Sequence, residues 1–97
     1  MKNKIENKID EKKIKHYLEL TSTALKEVKK NIIKGKEKQA KEIIEMAENY
    51  LSDAKYFEKK GDWINSFAAI NYAHGWIDSG VRLEIFNVKD NKLFTIK

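Results

Sequence analysis

The amino-acid sequence predicts an all-α fold: a three-helix antiparallel bundle made of a long helical hairpin and a third helix, with a short extended C-terminal tail. Three observations lead there. No proline occurs in the 97 residues, so nothing inside the chain is forced to break a helix. Gly35 and Gly61 each follow a lysine-rich turn, where a cation faces the negative end of the helix dipole and glycine takes the left-handed cap. Between these two stops, apolar side chains recur at helical spacing.

The first helix is expected over about residues 9–34. Ile14, Leu18, Thr21, Leu25, Val28 and Ile32 follow one another in steps of four and three, the seam of a helix packed lengthwise on near-antiparallel neighbours, and Tyr17, Ala24 and Ile33 widen it. The second is expected over about 36–59, with Ala40, Ile43, Ala47, Tyr50, Ala54 and Phe57 on one face, Ile44 and Leu51 beside them, and lysine and glutamate opposite. A turn as short as the one at Gly35 makes the pair an antiparallel hairpin.

Asp62 is a suitable N-cap for a third helix over about 63–86, because its carboxylate accepts amide hydrogens of the first turn. That helix carries apolar or small groups all round, with Trp63, Phe67, Ile70, His74, Ile77 and Val81 as one stripe, so cover is expected on more than one side. Gly75 and Gly80 within it each cost about 1 kcal/mol relative to alanine. Close approach of a neighbouring backbone or ring is the expected compensation. The tail, 87–97, loses helical periodicity at Asp90 and Asn91 and is expected to lie over a groove of the bundle, supplying Leu93, Phe94 or Ile96 as cover. Residues 1 to about 8 are expected to fray.

One domain is all that this length supports. Hydrophobic residues make up 41% and charged residues 36%, the balance of a soluble globular chain. No stretch approaches the roughly 20 apolar residues of a membrane span, and the start does not read as a signal peptide, so a cytoplasmic location with no membrane partner is expected. The absence of cysteine excludes disulfides, thiolate metal sites and thiol nucleophiles. The net charge of +5 is uneven: residues 1–41 carry +7 and residues 42–97 carry −2.

Few residues suggest chemistry. His74 stands four residues before Asp78 and three after Asn71, adjoining positions on one helix, so the three side chains are within reach of a shared ligand or proton. Neither HExxH nor a comparable ligand spacing occurs, so no metal and no cofactor is expected, and the bland reading is a core histidine bonded to Tyr50 or Asp78. Asp78 and Arg82 stand at i and i+4 in the favourable order for an ion pair; Arg82, the only arginine, is alternatively an anion-binding group. His16, near Asp10, Glu11 and Glu19, reads as a surface residue. Lys29, Lys30, Lys34 and Lys36 surround the hairpin tip and would attract phosphates in a salt-sensitive way, although no aromatic is interleaved to stack on bases.

The run YFEKKGDWINSFAAINYAHGWIDSGVRLEIF, residues 56–86, resembles the signature region of an archaeal family, domain of unknown function 357. The resemblance lies in Tyr56 and Phe57, the Lys60–Gly61–Asp62 corner, Phe67–Ala68, Asn71–Tyr72–Ala73, Gly75–Trp76, Asp78, Gly80 and Arg82–Leu83. It implies an all-helical, cytoplasmic protein with no assigned activity. Glu84 stands where a small residue is expected for that family. A fainter similarity is to helical domains of the HEPN type, but their ribonucleases place an arginine ahead of a histidine, and Arg82 follows both histidines here.

The functional expectation is a non-enzymatic protein-interaction module, engaging another protein or a second copy of itself as a homodimer. The alternative is a nucleotide- or RNA-binding domain that uses the lysine-rich tip with Arg82. A metal-dependent enzyme centred on His74 and Asp78 ranks last.

Overall fold

In the computed structural model, which describes residues 8–89 and Phe94, the chain forms three helices: α1 (Glu11–Lys29), α2 (Glu37–Lys59) and α3 (Trp63–Arg82). They pack as a three-helix antiparallel bundle. The α2–α3 contact is the most extensive, α1 packs on α3 next, and α1 touches α2 least. The helices adjacent in sequence at the first turn are therefore not the most intimate pair.

Each helix start and stop has a local cause. The Asp10 carboxylate accepts the Lys13 N–H at 2.9 Å and opens α1. After α1, Lys36 donates to the Ile33 carbonyl, closing a turn whose third residue, Gly35, has φ 93°, a backbone that glycine adopts without steric cost. The Glu37 carboxylate accepts the Gly35 N–H at 3.0 Å and ties this turn to α2. At the far end of α2, Gly61 has φ 74° and donates to Glu58, while Asp62 donates to Phe57. That pair of bonds is a Schellman cap. Asp62 then caps α3 at once, accepting the Asn65 N–H at 3.1 Å, so one residue ends one helix and begins the next.

The buried line of α1 is Ile14, Leu18, Thr21, Ala24, Leu25 and Val28, the expected seam, and that of α2 is Ala40, Ile43, Ala47, Leu51 and Ala54. On α3 the most buried line is not the expected bulky stripe. It is Ser66, Ala69, Ile70, Ala73, Ile77 and Gly80, in which Ile70 and Ile77 come from that stripe and the four small residues let α2 come close, with Trp63, Phe67 and Val81 half-buried at its edges. Ser66, fully buried, donates its hydroxyl to the Ala54 carbonyl at 2.8 Å and fixes the register of the two helices. At the α1–α2 side the contact is bordered by ion pairs, Lys15–Glu58 (3.5 Å) and Lys29–Glu48 (2.6 Å). A hydrogen bond to Glu11, with help from the Glu58 charge, holds the exposed Lys15 ammonium above the ordinary lysine value.

Two helices stop earlier than their periodicity suggests. α1 ends at Lys29 rather than near Lys34, and α3 at Arg82 rather than near Phe86. The cause is shared. Asn31 donates its side-chain amide to the Glu27 carbonyl at 2.7 Å, capping α1. Ile33 then donates to the Ile85 carbonyl (2.9 Å) and Asn87 to the Asn31 carbonyl (2.7 Å), which places Ile32 opposite Phe86 in an isolated antiparallel bridge. Ile32, Ile33, Ile85 and Phe86 fall in phase with the helical stripes, yet they serve a pairing of two extended segments.

α3 closes with a second Schellman cap: Ile85 donates to Gly80 and Glu84 to Val81, with Glu84 itself at φ 61°. The chain so reversed lays the Phe86 ring on Gly80. A Cβ at Gly80 would sit 2.8 Å from Phe86 Cδ2 and closer still to Cε2, so the expected close approach holds there. At Gly75 it does not, because a Cβ would meet nothing within 4 Å. Phe94 is buried in the core; Leu93 and Ile96, the other expected contributors from the tail, lie outside the described residues, as do residues 1–7. Enclosure of α3 is also incomplete, since Ile64 is 75% exposed, Tyr72 62% and Leu83 68%.

These geometries give substitutions of opposite sign. Glu84→Gly relieves a left-handed strain of about 1–2 kcal/mol and adds about 0.4–1 kcal/mol of unfolded-chain entropy, so chemical denaturation should show a net gain of about 0.5–1 kcal/mol. Gly75→Ala should gain about 0.8–1 kcal/mol of helix propensity, whereas Gly80→Ala should lose about 1–3 kcal/mol by overpacking against Phe86.

Candidate functional site

Of the residues that the sequence singles out, His74 and Asp78 are brought together. His74 Nε2 lies 3.7 Å from Asp78 Oδ1, and both side chains are about a quarter exposed. Arg82, exposed in the last turn of α3, complements the dipole of that helix. The partner of His74 is neither Tyr50 nor chiefly Asp78: Nδ1 shares a 3.1 Å hydrogen bond with Thr21 Oγ1, reaching across from α3 to α1. Thr21 was legible only as a polar member of the α1 seam, and a residue 53 positions away gives no helical-neighbour signal.

Hydroxyl, imidazole and carboxylate thus stand in a row, as they do in nucleophilic hydrolases. Two measurements separate this row from such a relay. Thr21 is 1% exposed, so its hydroxyl is covered. The 3.7 Å gap between Nε2 and Oδ1 is longer than the hydrogen bond that joins ring and carboxylate in such a relay. What the arrangement does is satisfy a buried hydroxyl while pinning α1 to α3. Among the described residues, no three His, Asp or Glu side chains gather closely enough to hold a metal ion, and no helix is long and apolar enough to cross a membrane.

The lysines of the tip differ among themselves. Lys29 is engaged with Glu48, while Lys30, Lys34 and Lys36 are exposed around the Gly35 turn. The Ile33–Ile85 bond brings the end of α3, and with it Arg82, to this same pole of the bundle.

A feature the sequence concealed lies on the open side of α3. Ala68, Asn71, Tyr72, Gly75, Trp76 and Ser79 line a shallow groove of about 640 Å³. Gly75 is its bare floor, and the Tyr72 wall is held by stacking on Tyr50 of α2, with ring centroids 5.1 Å apart and planes at 18°. Over Asn71 and Gly75 the groove meets a smaller depression of about 360 Å³ beside Tyr17, Leu20 and His74. The signal for it was the run Ala68, Tyr72, Gly75, Ser79, one face of a helix with no charge in it, which reads equally well as an internal packing seam.

Thr21→Val tests the structural role of the histidine. It should cost about 1–2 kcal/mol in denaturant titration, since the ring nitrogen loses its partner, and the Thr21→Val/His74→Ala double variant should cost less than the two single losses added together.

No curated protein and no solved structure shows a significant match to the chain. A sequence profile of the family described as "Protein of unknown function (DUF357)" does match, over residues 16–86, which takes in all of α2 and α3, most of α1 and the bridge between Ile32 and Phe86. The chain belongs to that family.

Proposed function

We propose that this protein is a non-enzymatic interaction module that engages a protein partner through the open face of α3. One observation carries the reading: a helix whose other sides are packed presents an aromatic-walled, charge-free groove to solvent, with Ile64 and Leu83 exposed at its two ends. Contiguous apolar surface of this kind marks interaction sites in soluble proteins, and aromatic residues are enriched at their cores. The covered Thr21 hydroxyl supports a structural rather than a catalytic use of His74.

A photo-cross-linking residue in place of Ile64, exposed at one end of the face, should give protein adducts in the cell, while the same residue at Lys38, exposed on α2, should not. Adducts at neither position, or equally at both, would count against the α3 face.

A second reading, RNA or nucleotide binding, is favoured by the exposure of Lys30, Lys34 and Lys36 at the pole that also carries Arg82. It requires salt-sensitive retention of RNA in filter binding, lost on replacing the three lysines with glutamine. Undetectable retention at low salt removes it.

A further inference from the structure

We infer that the partner is a second copy of this chain, docked across the open face of α3 about a two-fold axis that sets the two α3 helices antiparallel. The inference rests on the interaction reading above and names its occupant. A two-fold interface must be complementary to itself, and the order of residue sizes along this face meets that condition.

With the axis midway between Ala73 and His74, at the centre of the groove, each residue lies level with a fixed counterpart on the other copy. Ala68 falls level with Ser79 of the second copy, so small side chains meet where the helices must approach. Tyr72 falls level with the second copy's Gly75, so the largest projection of one copy meets the bare backbone of the other. Ile64 falls level with Leu83, large against large, at the ends where crossing helices diverge and there is more space to fill. Ile64, Tyr72 and Leu83 leave large apolar side chains in solvent in the monomer, and Gly75 lowers the helix propensity of α3 without any neighbour in the monomer that needs the room.

Charge favours the same orientation. The groove lining between Ala68 and Ser79 carries no Asp, Glu, Lys or Arg. The lysines around Gly35 sit at the pole where α3 ends. An antiparallel pair sends the two lysine-rich poles to opposite ends, separated by roughly the 30 Å length of a 20-residue helix. That exceeds the Debye length of about 10 Å at moderate salt. A parallel pair would place them side by side.

The chain has no cysteine, which makes the arrangement directly testable. Mixing A68C with S79C under mild oxidation should give an inter-chain disulfide several-fold more abundant than either variant forms alone. In the antiparallel pair two copies of the same substituted position stand about 16 Å apart along the axis, beyond the roughly 7 Å a disulfide tolerates between Cα atoms. By sedimentation equilibrium the natural sequence should associate with concentration, and Tyr72→Glu, at a side chain 62% exposed, should raise the dissociation constant tenfold or more while circular dichroism stays unchanged. A chain that sediments as a monomer at every concentration overturns the inference, and so does a mixture that cross-links no better than the single variants. Adducts of the Ile64 cross-linker to a different protein would then retain the interaction reading and remove the second copy; no adducts at all would remove both.

Discussion

The close approach of α2 and α3 governs the rest of the structure. Along α2 the buried line alternates alanine with a larger residue, Ala40, Ile43, Ala47, Leu51, Ala54, and α3 answers it with Ser66, Ala69, Ala73 and Gly80. Its register is held near both ends, by the Ser66–Ala54 hydrogen bond at one and by Gly80 beside Ile43 and Phe86 at the other. Small residues matter here because interiors are close-packed, and a seam of alanine and glycine brings backbones together where leucine would hold them apart. Once α3 has turned this side to α2, its Ile70, His74 and Ile77 edge is left for α1, and the Thr21–His74 bond completes that contact.

A bundle of three helices leaves each helix one side to water. On α1 and α2 that side is lysine and glutamate, as solvent requires. On α3 the exposed Asn65, Asn71 and Arg82 are accompanied by Ile64 and Tyr72, whose apolar surface water does not reward. The contrast lies within one chain and one architecture, and the proposed interaction face rests on it.

How much of this was legible depends on what each residue had to distinguish. The α1 seam, the caps at Gly61 and Asp62, and the three-helix plan follow from spacing and from residues with one dominant local role. Ile32 and Phe86 were not separable from helix by periodicity, since an apolar residue in phase with a stripe is the same symbol whether it ends in a helix or a bridge. The end of α3 was hidden as well, because the position that takes the left-handed backbone holds Glu84 and not the glycine that usually marks such a cap. Gly75 and Gly80 show the same ambiguity: both permit close approach, one is occupied by Phe86, and the other stands open. The histidine's true partner required knowledge of how two helices dock, which no local pattern contains.

The bridge between Ile32 and Phe86 has a kinetic meaning as well. It joins segments separated by the whole of α2 and α3, so its closure entropy is recovered only after those helices have met. Its amides at Ile33 and Asn87 gain their partners only through that docking, and they sit at the pole bearing the exposed lysines. Protection of these two amides from exchange would thus report tertiary closure, whereas the amides along the alanine seam are bonded within their own helices.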